Sequence, residues 1–165
     1  MKTDPREIGH MTYTILRKRM NLPSADRFSQ GPVVIIECTE DIPCDPCVNA
    51  CKTGAISMKT LISPPEVDYE KCTGCSLCID ICPGLAIFVV DKSYEEGKSL
   101  VSIPYELYPA PQKGDRVDAL DRSGRKIGEA SVTRVRKGSR GTMVVSMAVE
   151  KDLAMQARAL KVQEK

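Results

Sequence analysis

The most informative stretch of this 165-residue chain is Cys72-Thr73-Gly74-Cys75-Ser76-Leu77-Cys78-Ile79-Asp80-Ile81-Cys82-Pro83. Its cysteines are separated by two, two and three residues, and a proline follows the last one. A loop with gaps of two residues can wrap thiolates around one side of a bulky metal core. The stretch therefore predicts a metal centre rather than a set of disulfides.

An earlier part of the chain repeats this pattern. Five residues recur at one offset of 31 positions: Cys44, Cys47, Cys51, Ala55 and Ile56 precede Cys75, Cys78, Cys82, Ala86 and Ile87. The first cysteine of the earlier copy, Cys38, lies 34 positions before Cys72. The first copy therefore carries three extra residues between its first two cysteines.

The duplicated motif resembles the bacterial two-cluster ferredoxins over about residues 33–90. The resemblance implies an α+β fold with a ferredoxin-like two-cluster core and two 4Fe-4S clusters. In that family the last cysteine of each motif ligates the other cluster. Carried over to this chain, the two ligand sets are Cys38, Cys44, Cys47 and Cys82 for cluster 1, and Cys51, Cys72, Cys75 and Cys78 for cluster 2.

The sequence departs from the family pattern in two places. Five residues separate Cys38 from Cys44, which leaves open whether Cys38 is a ligand or cluster 1 is a 3Fe-4S form. Lys52 stands where the family usually has proline. Its ammonium either raises the potential of a nearby cluster or is simply solvated. Asp45 and Asp80, inside the two motifs, are expected to contact solvent.

Zinc is the competing metal, since cysteine pairs at gaps of two also hold tetrahedral zinc. Zinc sites have no need for a third cysteine at regular spacing or for Cys82-Pro83. The single histidine, His10, excludes most Rieske, haem and catalytic-histidine sites. Phosphate-binding and dinucleotide-binding glycine motifs are also missing from the sequence. The chain is therefore not expected to be catalytic alone.

Charge is segregated along the chain although its total is only +2. Residues 31–104 hold eleven acidic residues against five lysines, a net of −6, while residues 1–30 carry +3 and residues 105–165 carry +5. Two ligated clusters would add about −4. No run of about 18 apolar residues is present, and a cytoplasmic location without membrane insertion is expected.

Composition and the family resemblance together predict four parts: a basic N-terminal arm (1–30), a two-cluster ferredoxin domain (31–103), a small β module (104–150) and a C-terminal tail (151–165). Val33–Ile36 predicts a buried strand. In the β module we expect strands at about 113–120, 125–136 and 142–149, with a hairpin turn at residues 121–124. Good helix formers over 152–160 favour a helix.

The basic stretch at 134–140 has three open interpretations. It forms a solvated face, docks an acidic partner, or binds nucleic acid. Nucleic acid is not expected, because the chain has no Trp and no Phe after Phe88 for base stacking.

The predicted function is electron relay by a subunit of a larger oxidoreductase, whose partner is a flavoprotein dehydrogenase subunit. The chain is about a hundred residues longer than the cluster-binding core needs, which favours a dedicated subunit. Two alternatives remain: a freely diffusing ferredoxin with appended domains, and an iron-sulfur regulatory protein that binds nucleic acid.

Overall fold

The computed structural model describes residues 4–39, 41–138 and 140–163, apart from the side chain of Arg6. The helices within these ranges are α1 Pro5–Ile8, α2 Tyr13–Arg19, α3 Ala25–Ser29, α4 Pro46–Ala50 and α5 Leu77–Ile81, with a 3₁₀ turn at Lys151–Leu153. The strands are β1 Val33–Ile36, β2 Ile56–Ser57, β3 Glu66–Val67, β4 Ile87–Glu95, β5 Lys98–Tyr105, β6 Arg116–Leu120, β7 Lys126–Lys137, β8 Met143–Glu150 and β9 Ala159–Val162. None of the helices in this part of the chain has the length and hydrophobicity to cross a bilayer.

Seven strands form one antiparallel sheet in the order β1-β4-β5-β8-β7-β6-β9, and β2 and β3 form a separate pair. Strand β5 pairs with β4 on one side and with β8 on the other. Strands on both sides of the cysteine motifs and strands from the C-terminal third therefore share a sheet. This mixture of antiparallel sheet and short helices agrees with the α+β class.

The sheet is buried on both faces where β1 and β4 pair. Side chains alternate between faces along a strand. Val33 and Ile35 join the core that holds α2, α3 and the C-terminal strands. Val34 and Ile36 face the opposite way and pack with Cys47, Cys78 and Ile79 of the cysteine motifs. The predicted strand Val33–Ile36 is thus confirmed, and all four of its residues are buried.

The N-terminal segment is held to the sheet by its helices. Helix α2 begins after Thr12, whose hydroxyl accepts a hydrogen bond from the backbone N–H of Ile15 at 3.2 Å. Ser24 caps α3 in the same way. Leu16 is fully buried and Phe28 is 9% exposed. The proposed domain divisions remain predictions, and strand β5 runs across the one at residue 103.

The C-terminal strands agree with the sequence prediction except at the end. β6, β7 and β8 match the three expected strands, and Asp121–Gly124 forms the hairpin turn between β6 and β7. The expected helix over 152–160 is wrong. A 3₁₀ turn ends at Leu153, and β9 then pairs with β6 and becomes the edge strand of the sheet. An isolated helix of nine residues is marginal, whereas this pairing satisfies the backbone and buries Leu160.

Candidate metal centre

The two cysteine motifs adopt the same local structure. Helix α4 carries Cys47 and ends at Cys51, and α5 carries Cys78 and ends at Cys82. The chain then turns back. The backbone N–H of Ala55 donates to Cys51 Sγ at 3.2 Å, and the N–H of Ala86 donates to Cys82 Sγ at 3.4 Å. The 31-residue repeat of the sequence is therefore also a repeat of N–H···S contacts.

One group of four cysteines surrounds a cavity. Cys51, from the first motif, lines it together with the second-motif residues Cys72, Cys75 and Cys78. The apolar side chains of Val34, Ile56 and Val89 form much of the remaining wall. The structure thus brings together the four residues that the family resemblance assigned to cluster 2.

The second group is evident from the electrostatics of Cys47. Burial raises the pKa of this thiol to about 11, and the nearby sulfurs of Cys82, Cys38 and Cys44 add to the rise. Likewise, burial raises the pKa of Cys78 to about 12, with smaller contributions from Cys72, Cys75 and Cys51. Cys47 and Cys78 thus each lie near three other cysteines, one of which comes from the other motif.

This donor set fits a cationic iron-sulfur core. Ionising several neighbouring thiols, of which Cys47 and Cys78 are buried, is unfavourable without a compensating positive charge. Iron ions supply that charge. Among the described residues, no three Cys, His, Asp or Glu side chains are arranged to hold a single metal ion. All eight thiols are free of disulfides.

Cys51 differs from the buried thiols in its ionisation. Partial burial alone would raise its pKa, but the net shift is downward. The Thr53 hydroxyl, 3.6 Å from Cys51 Sγ, and the N–H groups of Thr53, Ala55 and Ile56 stabilise the thiolate. The turn after α4 is therefore prepared to hold a negatively charged sulfur.

Cys38 is positioned by the end of β1. It is half-buried and packs with the core around Cys47 and Ile79. The preceding Glu37 donates its N–H to Ala86 O at 2.8 Å, which joins the first cysteine to the segment that follows Cys82. The structure thus brings Cys38 to the second group, that of Cys47, while its role as a ligand remains a prediction.

Arg27 is a site residue that the sequence reasoning missed. It is 7% exposed and donates to four backbone carbonyl oxygens: Cys72 at 2.6 Å, Tyr69 at 2.8 Å, Pro32 at 3.1 Å and Gly31 at 3.3 Å. In the described part of the chain it forms no ion pair with a carboxylate. Arg27 therefore places a positive charge against the backbone at the start of the second motif. The only sequence signal was Ser24, a helix-capping residue three positions earlier.

A buried charge cluster lies next to Cys38. Glu37 Oε1 accepts hydrogen bonds of 2.6 Å from both Arg122 and Arg158, and its Oε2 accepts one of 2.7 Å from Arg122. Burial opposes ionisation of Glu37, but the two guanidiniums leave its pKa below the ordinary value. Burial lowers the pKa of Arg158 to about 10, although the negative charge of Glu37 acts to raise it. This cluster could not be predicted from the sequence, because Arg122 and Arg158 lie 85 and 121 residues after Glu37.

Asp80 does not contact solvent as expected. It is 9% exposed, and both of its carboxylate oxygens accept hydrogen bonds from Arg136 on β7, one of them at 2.8 Å. Arg136 was expected on a solvated face, in a docking surface or at nucleic acid. Its guanidinium is engaged within the chain. Lys52 is exposed, as either interpretation of it allows.

Comparison with known proteins identifies the cysteine-bearing segment. Residues 38–99 match the family model of the 4Fe-4S dicluster domain. The chain is 44% identical over 46 residues to a subunit of the ion-translocating oxidoreductase complex of Methanosarcina acetivorans, covering 28% of this chain and 17% of that protein. It is 40% identical over 53 residues to the aliphatic sulfonate oxidoreductase, polyferredoxin-like subunit, of Pyrococcus furiosus, covering 32% and 28%.

A shorter relative is matched as well. The pyruvate synthase subunit PorD of Methanothermobacter marburgensis is 39% identical over 46 residues, which is 28% of this chain and 51% of that protein. The chain thus spans less than a third of the first two relatives and about half of this one. No solved structure matches. The match to the 4Fe-4S dicluster domain model thus covers residues 38–99, the segment that holds all eight cysteines.

Proposed function

We propose that this protein is an electron-transfer subunit that carries two 4Fe-4S clusters. It relays single electrons from a dehydrogenase subunit, which we take to be a flavoprotein, to a further acceptor. The observation that carries the proposal is the cavity lined by Cys51 together with Cys72, Cys75 and Cys78. A fourth cysteine from the other motif is what crosswise ligation of two clusters requires.

The surrounding residues suit such a relay. A bound 4Fe-4S cluster gains and loses one electron, and hydrogen bonds to its sulfurs and the solvent exposure of the site tune its potential. Here Ala55 and Ala86 donate N–H groups to Cys51 and Cys82. Apolar residues such as Val34 and Val89 limit water at the cavity wall. The chain thus supplies ligands, hydrogen bonds and a partly dry setting.

Partner subunits and a cytoplasmic location are parts of the same proposal. The names of the matched relatives describe subunits of oxidoreductases and of pyruvate synthase. None of the eight cysteines forms a disulfide, which suits a reducing compartment, where thiols stay available to metal.

The test is anaerobic reconstitution followed by iron, sulfide and zinc analysis and by EPR of the reduced protein. Two clusters give about eight irons and eight sulfides per chain and two interacting paramagnetic centres. Fewer than about seven irons, with no signal from a second cluster, would overturn the two-cluster assignment. Zinc without sulfide would replace it with the competing metal.

Single substitutions test the crosswise ligand sets. Cys82→Ser removes a ligand from cluster 1, although Cys82 belongs to the second motif. We expect cluster 2 to keep its EPR signal in this variant and to lose it in Cys51→Ser. The reverse outcome would mean that each motif ligates its own cluster.

A further inference from the structure

Two loops meet beside Cys44 on the surface of the molecule. The first includes the described residues of the insertion that distinguishes the first motif from the second, and the other connects β2 to β3. The backbone N–H of Cys44 donates to Leu61 O at 3.3 Å, which ties the loops together. Leu61 and Ile62 are the central residues of a turn closed by a 3.0 Å hydrogen bond from Ser63 N to Thr60 O.

These loops expose apolar side chains that their local structure does not require. Ile42 is 52% exposed, Leu61 is 54% exposed and Ile62 is 51% exposed. The prolines Pro43 and Pro64 in the same loops are also exposed. Tight turns usually place Gly, Pro, Asn, Asp or Ser at their centres. We call these five residues the apolar rim: Ile42, Pro43, Leu61, Ile62 and Pro64.

The apolar rim is preorganised for contact. Proline fixes the backbone angle φ, so ordering these loops on binding costs less entropy. The Thr60 and Ser63 hydroxyls are 2.7 Å apart and hold the turn from its other side. Exposed apolar residues grouped on two loops that a hydrogen bond joins mark an interaction site more often than scattered single residues do.

The charge of the surrounding segment and the position of the apolar rim indicate which kind of partner binds there. The segment 31–104 carries a net charge of −6, and nine acidic residues against five lysines remain when Glu37 and Asp80, which pair with arginines outside the segment, are set aside. Bound clusters make the segment more negative. A second copy of this chain would bring two such negative segments together, whereas a basic partner would be attracted. The rim also lies beside Cys44, a cluster 1 ligand in the proposed function.

We propose that the apolar rim is the docking surface for a redox partner protein that presents an apolar cofactor edge surrounded by basic residues. This inference rests on the proposed function, because it takes cluster 1 as the point of electron exit. A five-residue patch suits the small, transient interfaces of electron-transfer encounters. In the tested step, one electron leaves the dithionite-reduced protein and reduces the partner's cofactor.

Ferricytochrome c is a suitable probe, because lysines surround its exposed haem edge. The full reconstituted chain is reduced with dithionite, excess reductant is removed, and cytochrome c reduction is followed by stopped flow. Leu61→Gln/Ile62→Gln keeps side-chain size and adds no charge. We expect its second-order rate to fall about tenfold, a typical loss when anchor residues are removed.

Controls separate docking from cluster damage. Leu107 is 65% exposed and belongs to neither loop of the apolar rim, so Leu107→Gln should keep the wild-type rate. Oxidation by ferricyanide, a small acceptor, should be unchanged in every variant. A preparation without clusters shows no dithionite bleaching before cytochrome c is added, which identifies a failure of the proposed function itself.

Three outcomes would overturn the docking proposal. The first is a wild-type rate in the double variant, and the second is an equal loss in Leu107→Gln. The third is a concentration-dependent dimer in sedimentation that the double variant abolishes, because the rim would then bind a second copy. Should the double variant lose iron, Ile42→Gln is measured in its place against the same criteria.

Discussion

Arg27 brings a buried cation to the second cysteine motif without an anionic partner among the described residues. Its guanidinium satisfies four carbonyl oxygens, including that of Cys72. Such an arrangement fixes the course of the motif and places a positive charge near its sulfurs. Both effects arise from one side chain that precedes the motif by 45 residues.

Replacing Arg27 should therefore change one cluster more than the other. We expect Arg27→Gln to lower the reduction potential of cluster 2, because a nearby positive charge favours the more negative reduced state. Loss of charged hydrogen bonds should also reduce the free energy of unfolding by about 2–4 kcal/mol. EPR redox titration and thermal unfolding measure the two effects.

Arg27→Lys is the control for charge, since it keeps the cation and loses the fork of donors. We expect a potential near the wild-type value with intermediate stability. Equal shifts of both clusters in Arg27→Gln would contradict a local effect.

Gly74 offers a test of close packing at the same motif. Its φ is +65°, and an added Cβ would lie 2.6 Å from backbone and side-chain atoms of Pro32. Gly54 has nearly the same φ, +64°, but an added Cβ there meets nothing within 4 Å. Backbone strain is therefore matched between the two positions, and only the clash differs.

We expect Gly74→Ala to bind iron poorly and Gly54→Ala to bind it almost normally. Left-handed backbone costs an alanine about 1–2 kcal/mol in either variant, so the difference in iron retention reports the clash with Pro32. Equal iron content would show that the motif can move away from Pro32.

At the scale of elements, Asp80 and Arg136 fasten helix α5 to strand β7. Arg136 also donates to Ser76 O at 3.4 Å, just before α5 begins. The turn after β7 packs closely too, because a Cβ on Gly138 would lie 3.2 Å from Asp80 Cγ. The C-terminal strands thus support the helix that carries Cys78.

A double-mutant cycle measures the coupling free energy between Asp80 and Arg136. We expect Asp80→Asn and Arg136→Gln each to reduce stability, with a coupling of about 1–3 kcal/mol in chemical denaturation of the reconstituted protein. The exposed pair Lys59 and Glu66, 2.8 Å apart, is the matched control and should show much weaker coupling. Similar coupling in both pairs would contradict a structural role for Asp80.

Sequence patterns predicted the elements whose structure depends on residues within the element itself. The β-branched run Val33–Ile36 and the Asp121–Gly124 turn carry local signals, and both predictions are confirmed. Strand β9 carries none, because its pairing depends on the free edge of β6. The ion pair of Arg136 could not be predicted from the sequence either, since its partner Asp80 is 56 residues away.

The whole molecule is organised around one sheet rather than around the cysteine loops alone. Eight residues of β5 pair with β8, from Lys98 with Glu150 to Tyr105 with Met143. Val101 and Ile103 of β5 are at most 1% exposed. The duplicated motif predicted which cysteines would meet, whereas the sheet that joins them to the C-terminal strands depends on long-range pairing that a single sequence does not reveal.

A chain shortened to residues 1–105 tests this dependence. It keeps all eight cysteines and β4 but loses β8, the second partner of β5, so we expect low iron incorporation and aggregation. A chain ending at Gln163 keeps every strand and is the control. Normal two-cluster spectra from the short chain would show that the cysteine segment folds by itself.

The Glu37 cluster also has a consequence for the order of biogenesis. Glu37 sits beside Cys38 and is held by Arg158, which lies 121 residues later. Cys51, Cys72, Cys75, Cys78 and Arg27 all precede residue 80. On a ribosome every part of the cluster 2 site would emerge before Arg158 completes the ion pairs beside Cys38. Cluster 1 would then be the later of the two clusters to be inserted in the cell.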